Sequence, residues 1–187
     1  MRAINFSSGP ATLPEPVLRA TQRAIWDLDG SGIGILEHSH RGPEFGRVIE
    51  RAERLVRELL SVPANYSVLF VTGTASMHFH MVPRCFLAPN QTADYCDTGV
   101  WSQKAIAEAK RIGGVHVACS GAGDNYATIP STCTWSSNPA YVHFTSNNTI
   151  FGTQWRTEPS APVDVPLICD ASSDILSRPL EVQRYGL

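Results

Sequence analysis

The sequence predicts an α/β fold with a mainly parallel central sheet flanked by helices. Short strand-like segments alternate with helical segments, and the strands are apolar throughout, which is typical of a sheet covered on both faces. Hydrophobic residues make up 43% of the 187 residues, enough to fill a core, and charged residues make up only 17%. This composition argues against an intrinsically disordered chain.

Helical patterns dominate the first sixty residues. Residues 14–29 carry apolar side chains at helical spacing, with Pro16 suited to the first turn and Gly30 to the end. Residues 44–60 follow the i, i+3, i+4, i+7 pattern and give the strongest helical signal of the chain.

Strands and helices alternate from residue 67 onward. The ligands of a parallel α/β sheet bind at the carboxyl ends of its strands, so the polar residues that follow each strand form the candidate site. Strands are predicted at 67–71, 92–96, 115–118, 140–144 and 165–169, and helices at 75–86, with a kink near Pro83, and at 101–111.

Charge and hydropathy exclude several classes of function. A net charge of −2 and a pI near 6.3 give no electrostatic footprint for nucleic acid. No stretch approaches eighteen consecutive apolar residues, so no membrane span is expected. The first eight residues contain no apolar signal core, and a cytoplasmic location is therefore expected.

Two strand ends have features of an anion site and a ring-stacking site. Residues 71–76 join a strand to a helix start, where free N–H groups favour phosphate and where Thr74 or Ser76 adds a hydroxyl. Ordinary helix capping is the alternative. Trp101 begins the helix after the next strand, and it suits either stacking on a flat ring or burial in the core.

Two further strand ends are also polar. Residues 145–149 are all polar, which is compatible with ligand contact or with a turn. Asp170 closes an apolar strand, where its carboxylate can pair with a protonated ring nitrogen or cap a turn. Before the second predicted helix, Arg41 is either a clamp for a carboxylate or phosphate or a solvated loop residue.

The potential metal ligands form no recognisable site in the sequence. The cysteines at 85, 96, 119, 133 and 169 contain no C-x-x-C pair, which indicates free thiols in a reducing compartment. His38/His40 and His78/His80 are two H-x-H pairs, but the second falls in a predicted helix, where i and i+2 face apart. No metal site is therefore predicted.

Several motifs in a fixed order resemble the phosphoserine aminotransferase family, the class-V, fold-type I enzymes that depend on pyridoxal phosphate. The resemblance covers essentially the whole chain. It rests on Asn5–Ala11 with Leu13-Pro14, Ser39–Gly42 with Glu44-Phe45, Val68–Phe70 with Gly73 and Ala75-Ser76, Thr92–Tyr95 with Gly99 and Trp101, Ser146–Ile150, and Asp170–Pro179.

The resemblance implies roles for individual residues. Residues 1–13 would be an N-terminal segment of the family's small domain, and 14–187 the cofactor-binding large domain, incomplete at its C-terminal end. The implied cofactor-binding residues are Ala75 and Ser76 at the phosphate, Trp101 on the pyridine ring, Thr149 near the phenolic oxygen and Asp170 at the ring nitrogen, with Trp101 and Asp170 also catalytic. The implied substrate-binding residues are Ser8, His40 and Arg41.

The resemblance also implies an activity and its partners. The family transfers an amino group between L-glutamate and 3-phosphohydroxypyruvate in serine biosynthesis, which gives phosphoserine. A related phosphorylated substrate of pyridoxine biosynthesis is a further possible substrate. A homodimer is implied for the complete enzyme.

The sequence departs from the family pattern in two places. Thr74 stands where a second glycine is usual, which can reshape the phosphate cup. The family's Schiff-base lysine follows a Tyr-Gly segment, whereas this sequence ends at Leu187, and its two lysines, Lys104 and Lys110, match no such motif. The chain alone is therefore expected to be inactive.

Two hypotheses account for this ending. The chain is the N-terminal part of a transaminase, or it is a non-catalytic remnant or interaction protein that needs a complementary half.

Overall fold

The computed structural model describes residues 2–6 and 11–187, which fall into two compact units, residues 1–59 and 60–187. These units do not test the expected domain boundary after residue 13, which stays a prediction.

The first unit contains two helices, as the sequence predicts. They are α1 (Glu15–Trp26) and α2 (Pro43–Leu60), the last residue of which falls in the second unit. Helix α1 ends earlier than predicted, because Asp27 is extended and the chain then turns through Asp29 and Gly30, both at positive φ.

The second unit is built around a four-stranded parallel sheet, which confirms the predicted fold class. The elements are α3 (Ala75–Phe86), β1 (Thr92–Asp97), α4 (Val100–Ala109), β2 (Gly114–Ser120), β3 (Val142–Thr145), β4 (Asn147–Asn148), β5 (Thr153–Gln154) and β6 (Leu167–Asp170). The strand order of the parallel sheet is β2-β1-β3-β6, and β4 and β5 form a separate antiparallel pair. Helix α3 continues through Pro83.

Apolar side chains cover both faces of this sheet. Tyr95 packs with Phe79 of α3 and Ile106 of α4 on one face, and Val142 and Phe144 pack with Trp155 on the other. Successive strand residues point to opposite faces, so strands in such a sheet need apolar residues at every position. This packing explains the continuous apolar runs in the sequence.

The predicted strand at 67–71 is wrong. These residues pair with no strand in the part of the chain that the structure describes, and Leu69, Phe70 and Val71 are each at least half exposed. Ser67, Leu69 and Val71 line a cavity that residues of β6 also line, so alternate side chains of this segment point the same way, as in a strand. Among the described residues, however, no neighbouring strand supplies backbone hydrogen bonds to it. An apolar run becomes a strand only when another backbone lies beside it.

An ion-pair network holds the last residues of the chain. Glu158 accepts hydrogen bonds from Arg178 and Arg184, both at 3.0 Å, and from the Tyr185 hydroxyl at 2.8 Å. Beyond this network the backbone runs beside β6, where the Cys169 N–H donates to the Leu187 carbonyl at 3.0 Å. In residues 2–6 and 11–187, no helix combines the length and apolar character that crossing a membrane requires.

Candidate functional site

The strand topology gathers three polar strand ends at one edge of the sheet. Asp97, Thr145 and Asp170 are the last residues of β1, β3 and β6. The strands are parallel, so their carboxyl ends meet at the same edge, and the register sets Thr145 directly opposite Asp170. This edge is where α/β sheets bind ligands.

A cavity of about 570 Å³ opens at this edge. Asp170 and Ala75, two of the predicted cofactor-binding residues, both line it. Most of its other lining is apolar, and its polar lining residues are Ser67, His78, His143, Asp170 and Ser172. A few polar groups in an apolar cavity are typical of a small-molecule site.

The sequence analysis missed His143, which lies in this cavity. Its ring stacks on Tyr95 with centroids 4.9 Å apart, and Phe79 meets it edge-on. Its Nδ1 is buried without a hydrogen-bond partner among the described residues. Burial lowers the pKa of His143 to about 4, although the negative charge of Asp170 opposes this shift. The sequence offered one signal for this residue: a histidine within an apolar strand, two residues before the polar end of that strand.

We expect His143 to make folding sensitive to acid. Its pKa is about 4 in the folded chain and about 6.5 when unfolded, so the unfolded state binds more protons between these values. Stability is therefore lost as the pH falls from about 6.5 towards 4. We compare the free energy of unfolding of the His143→Phe variant with that of the parent. As the pH falls from 8 to 4, the free energy of unfolding of the variant should rise by roughly 3 kcal/mol relative to that of the parent.

Denaturant unfolding of both proteins at the two pH values measures this difference. The measurement at pH 8, where His143 is neutral in both states, is the control for altered packing. Parallel pH profiles of the parent and the variant would contradict the burial of a neutral imidazole.

Asp170 caps a turn, which is one of the two roles that the sequence left open. One carboxylate oxygen, Oδ1, accepts hydrogen bonds from the Ser172 N–H at 3.2 Å and from the Ser172 hydroxyl at 2.6 Å, which is a turn-capping arrangement. The other oxygen, Oδ2, accepts no hydrogen bond from the described residues. The side chain lines the cavity. The turn therefore fixes one oxygen and leaves the other available to a ligand.

Trp101 and Thr149 are brought together by a hydrogen bond. The indole Nε1–H donates to the Thr149 Oγ at 3.0 Å, which leaves the hydroxyl proton of Thr149 free to donate to a ligand. The ammonium group of Lys104 lies over the Trp101 ring, 4.5 Å from its centroid. Trp101 is partly exposed, so its ring is neither fully buried in the core nor fully open to solvent.

Gly99 positions both of these side chains. Its φ of +137° is unfavourable for other residues, and a Cβ there would lie 2.2 Å from the Asn148 side-chain nitrogen. The same nitrogen donates to the Thr98 carbonyl at 3.0 Å. Ser102 accepts the N–H groups of Thr98 and Gly99 at 2.9 and 3.0 Å. The loop before Trp101 is thus joined to the turn that carries Thr149.

The start of α3 offers donors for an anion. Thr74 occupies the N-cap position, but its side chain makes no capping hydrogen bond. The N–H groups of Ala75 and Ser76 likewise have no hydrogen-bond partner among the described residues. Free N–H groups at a helix start attract phosphate, so the capping alternative does not account for these residues.

Two of the predicted substrate residues belong to the first unit. His40 and Arg41 lie there in an exposed turn in front of α2. Ser8 lies outside the described residues. One histidine of each H-x-H pair lies beside a glutamate. The His38 Nδ1 is 3.7 Å from a carboxylate oxygen of Glu44, and the His80 Nδ1 is 3.2 Å from one of Glu108.

Of the predicted cofactor-binding residues, Ala75 and Asp170 thus line one cavity, whereas Ser76, Trp101 and Thr149 lie outside its lining. A family model of the class-V aminotransferases matches residues 3–187. The chain belongs to the class-V aminotransferase family. Its similarity to curated class-V aminotransferases extends over its full length: phosphoserine aminotransferases from Pseudomonas entomophila and Bacillus subtilis are 49% and 44% identical to it.

Solved structures of class-V aminotransferases share the fold. The phosphoserine aminotransferase of Bacillus circulans subsp. alkalophilus matches with a TM-score of 0.95 and 45% identity over 99% of this chain. The PLP-bound phosphoserine aminotransferase of Trichomonas vaginalis matches with 0.90 and 36% over the same share. This chain spans 52% of the length of each of these four relatives.

Proposed function

We propose that the chain is the cofactor-binding portion of a pyridoxal-phosphate-dependent phosphoserine transaminase. The whole-length match to phosphoserine aminotransferases carries this proposal. The reaction would transfer an amino group between L-glutamate and 3-phosphohydroxypyruvate, in the direction of phosphoserine. Use of a related phosphorylated substrate in pyridoxine biosynthesis, a cytoplasmic location, a homodimer and the domain boundary after residue 13 belong to the same proposal.

The residues at the sheet edge fit pyridoxal phosphate by the chemistry of their free groups. The unpaired N–H groups of Ala75 and Ser76 would hold the phosphate, and Trp101 would stack on the pyridine ring. The Thr149 hydroxyl already accepts a hydrogen bond from the Trp101 N–H. It would therefore donate its own proton to the phenolic oxygen of the cofactor.

Asp170 would control the protonation of the ring. When bound, pyridoxal phosphate supplies an electron sink for the carbon that loses its proton. The carboxylate of Asp170 would stabilise the proton on the ring nitrogen, and the neutral His143 beside it adds no competing positive charge. The apolar lining of the cavity strengthens this ion pair by excluding water.

The substrates would be held by residues of the first unit. Ser8, His40 and Arg41 are proposed as the substrate-binding residues. The guanidinium of Arg41 suits a carboxylate, because its planar donors match two carboxylate oxygens. The exposed turn that carries His40 and Arg41 leaves both side chains accessible to a ligand.

A hybrid enzyme tests this function. We define the hybrid as these 187 residues joined at Leu187 to the remaining C-terminal part of the Bacillus circulans enzyme. With L-glutamate, 3-phosphohydroxypyruvate and pyridoxal phosphate, it is expected to form phosphoserine and 2-oxoglutarate. Unphosphorylated hydroxypyruvate serves as the comparison substrate.

Two outcomes are decisive. Phosphoserine formation with a preference for the phosphorylated acceptor supports the proposal. A folded hybrid that binds pyridoxal phosphate but forms no phosphoserine favours the alternative, an interaction protein without this activity. Reading the coding DNA beyond Leu187 for an in-frame Gln-Lys pair gives an independent test.

A further inference from the structure

Three cysteines that are scattered in the sequence converge in the second unit. The sulfur atoms of Cys96, Cys119 and Cys133 all lie within 4.8 Å of one another, and those of Cys96 and Cys133 are 3.9 Å apart. Cys96 and Cys119 are buried and Cys133 is half-buried. They pack with Val142 and Trp155, on the sheet face opposite His143. The cluster is therefore separate from the proposed cofactor site.

An irregularity in the sheet aligns two of these cysteines. Between Tyr95 and Cys96 the register of β1 with β2 shifts, so that Tyr95 lies opposite Val117 but Cys96 lies opposite Cys119. Without this shift Cys96 would face Ala118. Bulges of this kind re-aim side chains and are common beside functional sites.

Hydrogen bonds of the residues that follow Cys133 fix the loop that carries it. The Thr134 N–H donates to the Ala118 carbonyl at 2.8 Å, and the His116 Nε2 donates to the Thr134 carbonyl at 2.8 Å. Ser136 donates through its N–H and its hydroxyl to the carboxylate of Asp94, both at 2.7 Å. The loop therefore holds Cys133 above the two strand cysteines, and the three sulfurs are positioned before any ligand binds.

The spacing of the sulfurs suits a small thiophilic cation. Three sulfur ligands of a tetrahedral Zn²⁺ with Zn–S bonds of about 2.3 Å lie about 3.8 Å apart. The observed separations of 3.9 Å and at most 4.8 Å therefore need only a modest contraction. A disulfide needs two sulfurs about 2.05 Å apart, which would require a much larger movement.

We propose that Cys96, Cys119 and Cys133 form a three-thiolate site for Zn²⁺, with the fourth coordination position on the half-buried side of Cys133. Zinc takes four ligands in tetrahedral geometry, and the fourth would be water or a small thiol from solution. Binding displaces the thiol protons into solvent, and three thiolates with one Zn²⁺ leave a net charge of −1. The site would tie the edge strand β2 and the loop of Cys133 to β1.

Metal titration of the full 187-residue chain tests this site. The protein is reduced, treated with a chelator, freed of both reagents, and titrated with Cd²⁺, which reports thiolate coordination by ultraviolet charge-transfer absorption. We expect one Cd²⁺ per chain, release of protons on binding, and displacement of Cd²⁺ by Zn²⁺. Cys133→Ser should weaken binding by about 100-fold or more, because it removes one of three ligands.

Two variants keep the result interpretable. Cys133 is partly exposed in a loop, so its replacement by serine preserves the packing of the strands. Cys85→Ser removes an exposed cysteine outside the cluster and should leave the titration unchanged. Equal binding by the parent and Cys133→Ser, no charge-transfer band at all, or a disulfide between two of the three cysteines in a glutathione buffer would each overturn the proposal.

Discussion

Replacing Asp170 by alanine in the hybrid enzyme is expected to lower phosphoserine formation by about 1000-fold or more. The carboxylate closes β6 and lines the cavity at the carboxyl edge of the sheet. Its removal leaves no negative charge to hold a proton on the ring nitrogen in an apolar surrounding, and the pKa of that nitrogen should fall. Turnover of the parent and the variant, measured with saturating pyridoxal phosphate, checks this effect.

Asp164→Asn is the matched control, because Asp164 is an exposed carboxylate in the loop before β6. Asparagine also tolerates the positive φ of that position. This control should keep the activity of the parent. Near-normal turnover in Asp170→Ala would refute the role given to Asp170, whereas a loss of cofactor binding alone would be restored by a higher cofactor concentration.

Replacing Gly99 by alanine is expected to destabilise the second unit by about 3 kcal/mol and to separate Trp101 from Thr149. The new Cβ would lie 2.2 Å from the Asn148 side-chain nitrogen and 2.7 Å from the Phe151 ring, and the backbone φ of +137° adds strain. Asn148 cannot move away without losing its hydrogen bond to the Thr98 carbonyl.

Gly123→Ala is the control for this substitution, because the space around a Cβ at Gly123 is open to 4 Å and its φ is not positive. Denaturant unfolding measures the stability of both variants, and a crystal structure of each shows whether the hydrogen bond from the Trp101 Nε1–H to the Thr149 Oγ is kept. Equal stability of Gly99→Ala and Gly123→Ala would show that the loop adapts and that Gly99 does not position the site.

The sequence was sufficient for the elements whose signal is local. The strands at 92–97, 114–120, 142–145 and 167–170 are rich in apolar residues, and apolar side chains cover both faces of the sheet. Because the strands are parallel, the polar residues that follow them had to meet at one edge. Asp170, which closes the last of these strands, is therefore placed at that edge by its sequence position alone.

Features that depend on distant neighbours were not predictable in this way. The segment at 67–71 has a strand-like sequence, but strand formation also requires a hydrogen-bonding neighbour. Cys96 meets Cys119 because of a register shift, and it meets Cys133 because of a loop 37 residues along the chain. His143 looks like an ordinary strand residue until the packing of Phe79 and Tyr95 buries its ring.

The most direct test of the central proposal is a crystal structure of the hybrid with pyridoxal phosphate bound. The account predicts the ring nitrogen within hydrogen-bond distance, about 2.6 to 3.2 Å, of the Asp170 carboxylate. It also predicts the Trp101 ring against the pyridine ring and the phosphate at the N–H groups of Ala75 and Ser76. A cofactor bound away from the carboxyl ends of β1, β3 and β6, or a ring nitrogen that does not meet Asp170, would contradict it.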